Sequence, residues 1–473
     1  MPFPAYSVCR SGGERMEMHM KSYWQDDCEI PKRDSLNQPL SCEVLIAGGG
    51  MSGILTAYFL KREGVQAVVV EADRIGSGTT KGTTAKITSQ HGLCYHQITK
   101  DFGAEKAAEY ASANQNAIVK YEAVAAALGI DCGFQRVPAY AYTCSEADLD
   151  LLKTEVSAAR DAGIPAEFVS GEDITALPLR AAGAVRFPDQ AQFHPLRFLR
   201  AVSQDLEIYE GTVVQEVQPQ DDGSYYVRTN RPGGGIKAKQ IVIATHFPII
   251  NTPGYYFLRM HQERSYVLGL KNARPVDGMY IGAGRSQVYS FRSCGDLLLF
   301  GGCGHRVGEE GERQHYEALK RQATAFYPDS VVCWAWSAQD CMPLDGIPYI
   351  GPYSEKLPGV FVATGYQKWG MSSAMAAAVI LSDTICGTTP KYASVFDPGR
   401  FQLSASAEQL FHDTATSVKN LAKGVAGRNC AHLGCCLTKN EEEGTYDCPC
   451  HGSRFAEDGS VIEGPAVTPA DLS

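Results

Sequence analysis

No block of lysine and arginine longer than a pair occurs in this chain, and its formal charge of −10 is spread along 473 residues. The basic face that grips a phosphate backbone is therefore missing, which excludes nucleic acid as a partner class. Long apolar runs are missing as well. The one stretch that hydropathy flags, VLIAGGGMSGILTAYFL (44–60), has 17 residues and a glycine-rich centre, so no transmembrane segment is expected. The opening MPFPAYSVCRSGGERMEMHMKSYW has no apolar core of a secretory signal, and an intracellular, cytoplasmic protein is expected. With 44% apolar and 20% charged residues, the chain reads as globular, with room for two or three domains.

Cysteine, by contrast, is plentiful. Of 16 cysteines, eleven are strewn singly from Cys9 to Cys386 and read as buried small hydrophobes or inert thiols. The other five fall with two histidines inside 22 residues, in CAHLGCC (430–436) and CPCHGSRF (448–455).

Near the front, CEVLIA (42–47) is a short apolar run with β-branched members, followed by Gly48-Gly49-Gly50-Met51-Ser52-Gly53. ILTAYFLKREG then places Ile54, Leu55, Tyr58 and Phe59 on one helical face, with Gly64 as a stop. Val68-Val69-Val70 is a second strand ending on Glu71. Strand, GxGxxG, helix, strand, acid is the order of a dinucleotide-binding unit. Gly48 permits the tight turn, Gly50 lets amides approach a pyrophosphate, and Gly53 lets helix and strand pack closely. Glu71, eighteen residues past Gly53, can accept from both ribose hydroxyls.

The threonine-rich RIGSGTTKGTTAKITSQHG (74–92) runs on from the acid, and here the sequence resembles the D-amino-acid-oxidase-like (glycine/sarcosine oxidase) FAD-dependent oxidoreductases. GTVVQEV (211–217) is similar to the strand that brackets the adenine, and IVIATHFP (241–248) to the strand that returns to the nucleotide domain. DGIPYIGPY (345–353) and GVFVATGYQKWGMSSAMAAAVILSDTI (359–385) are similar to the closing signature. The resemblance implies an α/β chain, in which an N-terminal extension (1–40) precedes an oxidoreductase unit (41–400). A Rossmann-like FAD-binding domain takes about 41–86, 203–253 and 341–390, and inserts at about 87–202 and 254–340 build an α+β substrate domain with a mostly antiparallel sheet. It implies FAD contacts from Gly48, Gly50, Met51, Ser52, Gly53, Glu71, Ala72, Ser77, Thr79, Thr80, Thr83, Thr84, Val214, Thr245, Gly365, Gly370, Met371 and Ser372. A helix starting at Gly370-Met371-Ser372 has a logic of its own, because its positive end suits the electron-rich edge of a reduced flavin. Cys341 invites comparison with members that hold flavin through a cysteine, but its spacing to Asp345 departs from that pattern, so non-covalent FAD is expected.

No catalytic residue is fixed by these motifs. His91, His194 and Lys368 are candidates, with Arg259, His261, Tyr266, His305, Trp336 and Gln339 as further residues for the pocket. His194, in AQFHPLRFLRA, reads equally as a surface or capping residue. Members acting on amino acids often carry an arginine shortly before the DGxPxIG stretch, to clamp a carboxylate with two bonds. WSAQDCMPLDG (336–346) offers Gln339 and Asp340 there instead.

At the back, Cys430-x-His432 and Cys448-x-x-His451 form a two-cysteine, two-histidine set that suits zinc or iron. CAHLGC and CPCHGS resemble the two ligand loops of Rieske [2Fe–2S] proteins. The resemblance implies Cys430 and Cys448 on one iron, His432 and His451 on the other, and a disulfide between Cys435 and Cys450. It also implies hydrogen bonds to the cluster from Gly434, Gly452 and Ser453, and a closing loop at Gly464-Pro465-Ala466. A linker helix (401–424, helical over about 406–423) precedes a minimal cluster module (425–473) that lacks the strands usually found before the first loop. So short a module should lean on the flavin domain and on its metal.

The combined reading is a dehydrogenase. A small amine or amino acid reduces FAD, and electrons leave singly through the cluster to a one-electron carrier protein or quinone-like acceptor. Two alternatives stay open: a ferredoxin-like donor feeding the reverse reduction of an imine or unsaturated substrate, and a cluster that serves as structural staple or redox sensor.

Overall fold

The computed structural model describes residues 9–11, 14–16, 18–284, 289–308, 314–400 and 428–472. The apolar run near the front forms β1 (Leu40–Ala47), whose last four residues are all buried, as a strand covered on both faces requires. The glycine turn leads into α1 (Met51–Arg62), and β2 (Ala67–Val70) returns parallel to β1 with Ala47 opposite Val70. On the other side of β1 lies β3 (Ile236–Ile243), also parallel. Val214–Pro219 and Tyr225–Thr229 extend this sheet beyond β3, and Glu207–Tyr209 extends it beyond β2. The bracket strand thus starts at Val214, three residues later than the sequence motif.

The two inserts build a second sheet of nine strands. It is antiparallel except where Met279–Gly282 runs parallel to Gln135–Thr143. Its edge consists of β4 (Met260–Lys271) and β5 (Val331–Pro343), paired antiparallel from Met260 opposite Pro343 to Lys271 opposite Val331. The first insert also supplies long helices, Ala104–Ala127 and Leu149–Asp161. The chain then returns through β6 (Val360–Thr364), parallel to β3, into α2 (Gly370–Ile385). α2 is buried over most of its length because alanines at 374 and 376–378 let it lie close against α1. Among the described residues no helix is long and apolar enough to cross a membrane.

The C-terminal part holds four short antiparallel strands in sequence order: β7 (Thr438–Asn440), β8 (Thr445–Asp447), β9 (Arg454–Ala456) and β10 (Val461–Glu463). The strands that carry the ligand loops therefore lie between and after those loops. The linker helix expected over 406–423 lies outside the described residues. The N-terminal extension is tied in by Trp24, fully buried, whose Nε1 donates to Thr83 O at 2.7 Å.

Alternation along β4 and β5 makes them a partition one strand layer thick. Glu263, Ser265 and Val267 with Ala338 and Asp340 face a cavity inside the flavoprotein. Gln262 and Arg264 with Ser337 and Gln339 face the C-terminal module. On that side Gln262 donates to His451 O at 2.6 Å and Gln339 to Gly452 O at 2.7 Å. Gly452 takes φ +78°, and a Cβ there would lie 2.6 Å from Gln262 Cδ, so a larger residue would push the module off. Arg264, 1% exposed, gives Nη1 to Asp447 at 2.7 Å and to Glu443 at 3.0 Å, and Nη2 to Gln339 at 2.8 Å.

Replacing Arg264 with alanine leaves Asp447 and Glu443 buried with Arg454 as their remaining cation, a loss below the about 3–5 kcal/mol of a fully orphaned buried pair. The expected result is early proteolytic release of the C-terminal module and a lower thermal midpoint. Unchanged protease resistance would show that the partition does not depend on this arginine.

Candidate functional site

Gly48 follows β1 with φ +113°, and a Cβ there would sit 2.3 Å from Ala244 O. A Cβ on Gly53 would sit 1.9 Å from Gly48 O, so this glycine serves the contact of α1 with the turn. Behind them opens a cavity of about 1320 Å³. Residues expected to hold FAD line it from six stretches: Gly48, Gly50, Met51 and Ser52 at the turn; Glu71 and Ala72 after β2; Ser77, Thr79, Thr80, Thr83 and Thr84 in the threonine loop; Val214; Thr245; and Gly365, Gly370 and Met371 at the head of α2. Gly53 and Ser372 are not in its wall. Glu71 accepts from Gly49 N at 2.7 Å and from Asp73 N at 2.9 Å. Burial raises its pKa against those two amides.

Of the three catalytic candidates, only Lys368 reaches the cavity, where its Nζ lies 2.9 Å from Glu263. His91 is buried behind the wall. It bonds Tyr110 at 2.5 Å, Thr88 O at 2.7 Å and Ser372 at 2.9 Å, and burial pushes its pKa down to about 3. His194 caps the helix Pro195–Val202 by accepting from Arg197 N at 3.1 Å. Tyr266 lines the cavity. Arg259, His261, His305, Trp336 and Gln339 do not, and Trp336 instead braces the threonine loop through Gly82 O at 2.8 Å. Cys341 is also outside the wall, its thiol 3.6 Å from His246 O.

Further cavity residues are not singled out as site residues by the sequence: His246, Glu263 and Glu463. His246 holds φ +67°, uncommon for a non-glycine residue, and its Nε2 is buried without a partner. Glu263 and Glu463 are separated by most of the second insert, the closing flavin segment and the whole linker, so only the fold brings them together. The carboxyl of Asp340 is raised to about 7 by burial, with Glu263 and Glu463 adding and Lys368 opposing.

In the C-terminal module, Cys435 and Cys450 are joined as a disulfide. Their sulfurs and that of Cys448 lie within 4.8 Å of one another, and the pairing leaves Cys448 free to face Cys430. A hydrogen bond from the Cys448 thiol lowers the Cys430 pKa to about 6. The rings of His432 and His451 are 5.1 Å apart and nearly perpendicular. Both Nδ1 atoms are buried without a partner, which leaves two imidazole lone pairs beside two thiols. His432 Nε2 lies 2.6 Å from Asn251 Oδ1 of the flavoprotein. That acceptor fixes the proton on Nε2 and leaves Nδ1 as a ligand atom. Asn251 is 181 residues away in sequence, and nothing local to it points to a metal site.

A family model described as FAD dependent oxidoreductase (DAO) matches residues 43–384. The chain belongs to this family. The DAO oxidoreductase carries a second domain, since the Rieske [2Fe-2S] domain model matches residues 410–472. YhfW of Bacillus subtilis (strain 168), named for a Rieske 2Fe-2S iron-sulfur protein, is 34% identical over 497 residues, covering 95% of this chain and 96% of that one. Cytochrome b6-f complex iron-sulfur subunit 3 of a Nostoc species is 56% identical over 44 residues, only 9% of this chain and 25% of that subunit. γ-Glutamylputrescine oxidoreductase of Escherichia coli K12 is 30% identical over 93 residues, 20% of this chain and 22% of that one. Among solved structures, glycine oxidase from Geobacillus kaustophilus superposes with a TM-score of 0.64 at 18% identity, covering 76% of this chain and 99% of its own. L-proline dehydrogenase from P. horikoshii gives 0.65 at 18%, covering 77% and 99%.

The cofactors of this DAO oxidoreductase are FAD and a [2Fe–2S] cluster. The turn that admits no Cβ at Gly48 suits the first, and the two unpartnered imidazole nitrogens beside paired thiols suit the second.

Two outcomes follow. Asn251→Ala should leave FAD binding intact and lower iron affinity about 10–100-fold, read as iron and sulfide retained through gel filtration; parental retention would exclude the role. A carboxyl whose pKa is raised on folding gives stability that is full below its ordinary pKa and is lost as pH rises to about 7. In FAD-free protein, Asp340→Asn should therefore raise the thermal midpoint clearly more at pH 8 than at pH 5, where only part of the loss has accrued; equal shifts at both would refute the burial of charge at this site.

Proposed function

We propose that the chain dehydrogenates a small amine or amino acid in the cavity and passes the electrons one at a time, through the cluster, to an external carrier protein or quinone-like acceptor in the cytoplasm. The observation that carries this reading is the segment 246–251, which follows β3. His246 lines the cavity, Phe247 sets its ring 6.5 Å from that of His451, and Asn251 bonds His432. Six residues thus run from the flavin cavity to both histidines of the cluster site.

FAD, when bound, accepts a hydride from a carbon beside nitrogen. The chain's own part is to hold the substrate, keep water out and lead electrons onward. An amine becomes an iminium by losing a hydride, two electrons with the proton of the broken C–H bond, and an iron–sulfur centre takes one electron at a time, so a built-in relay has a use when the acceptor is a one-electron carrier. Rieske centres span about −150 to +300 mV, high enough to draw electrons from a reduced flavin. The names of the γ-glutamylputrescine, glycine and proline enzymes support the amine and amino-acid class.

The test is an anaerobic screen of amines and amino acids against purified brown protein, following flavin absorbance and the cluster's paramagnetic signal together. Bleaching followed by cluster reduction is expected, and Phe247→Ala should slow the second phase alone. Flavin bleaching with a cluster that stays oxidised would sink the relay, and reoxidation of reduced flavin by imines would turn the direction round.

A further inference from the structure

The charges around the cavity are not evenly satisfied. Asp340 sits on the cavity face of β5 beside Glu263 of β4, its register partner. It is 9% exposed. Its backbone pairs in the sheet, but among the described residues no hydrogen bond or ion pair reaches its carboxyl group. Glu263 is engaged by Lys368 at 2.9 Å and stands 3.6 Å from His261. Glu463, at the end of β10, reaches the same cavity from the cluster domain. Its Oε1 is 3.9 Å from Arg454, and its Oε2 is buried with no partner. Glu71 is taken up by the amides of the nucleotide turn.

Cations cannot balance this. Among the described residues no arginine lines the cavity, and its cationic side chains are Lys81, Lys86 and Lys368. Lys368 is spent on Glu263. Lys86 bonds Thr84 and Ser290, and burial, with Arg292 beside it, lowers its pKa to about 7. A carboxylate entering here would find no guanidinium fork and two acceptors of its own sign. A donor carrying positive charge would fill the empty acceptors of Asp340 and Glu463, as buried polar atoms require.

We propose that Asp340, backed by Glu463 of the cluster domain, binds the ammonium group of an alkylamine substrate whose reacting end carries no carboxylate. This rests on the amine-oxidation reading and narrows it, since amino acids become poor ligands. It also makes the substrate site a joint product of the two domains.

The test uses anaerobic holoenzyme carrying both cofactors, with n-butylamine and butyrate as probes followed by perturbation of the flavin absorbance. The parent protein should bind n-butylammonium at least tenfold more tightly than butyrate. Asp340→Asn should raise the Kd for n-butylammonium tenfold or more and leave that for butyrate unchanged, with Glu463→Gln giving a smaller loss in the same direction. Equal affinity of the parent for both probes overturns the proposal, and this comparison decides even if a variant does not fold. So does an Asp340→Asn protein that releases FAD while its probe preference is unaltered, because Asp340 would then be holding the cofactor. If no amine bleaches the flavin, the oxidation reading falls while probe preference still decides the binding site. If amines bleach it equally in Asp340→Asn, only the role of Asp340 falls.

Discussion

A guanidinium taken out of water costs several kcal/mol unless carboxylates meet it, and Arg264 is met by two that belong to another domain. Asp447 and Glu443 share its Nη1, and Glu443 also receives Arg454 at 2.7 Å. The ion group is thus closed only when the cluster domain is in place. That domain has a small core of its own, centred on its cysteines with Leu437, Tyr446 and Phe455, so its position rests on this buried charge and on the glutamines that flank it. In that docked position the histidines meet Phe247 and Asn251, and β10 meets the cavity.

The orientation of the histidines follows from the flavoprotein. With Nε2 of His432 directed at Asn251, its Nδ1 is the nitrogen left buried without a partner. The ring of His451 stands edge-on to Phe247 and Phe257, at 6.5 and 5.8 Å. These contacts set two aromatic rings of the flavoprotein against His451.

Much of this was legible in the sequence because it is local. The strand–glycine–helix order at 42–71, the closing strand and alanine-rich helix at 360–385, and the two cysteine–histidine loops each carry their pattern within a few turns of chain. The paired strands of the substrate domain were readable as a class for the same reason. What escaped is long-range. Arg264 is one arginine in a strand, and its partners lie 179 and 183 residues on. Asn251 sits in an irregular segment with no periodicity. His91 and His194 drew notice as histidines near expected loops, yet their nitrogens are spent on Tyr110 and Thr88 and on a helix cap. Residue type suggested chemistry that only three-dimensional neighbours could assign.

The alternation of β4 and β5 has an evolutionary corollary. Neighbouring residues on these strands serve opposite rooms: Gln339 holds the cluster domain while Asp340 looks into the flavin cavity, and Arg264 and Glu263 divide in the same way. Gain or loss of one residue within either strand would exchange the two sets, putting an arginine into the cavity and an acid against Asp447. Substitution can therefore retune substrate or docking separately, whereas a single-residue length change must be absorbed by a bulge, as the register shift at Gly269/Leu270 absorbs one. Between Met260 and Gly269, where the register is unbroken, parity along these two strands ties the two redox domains together.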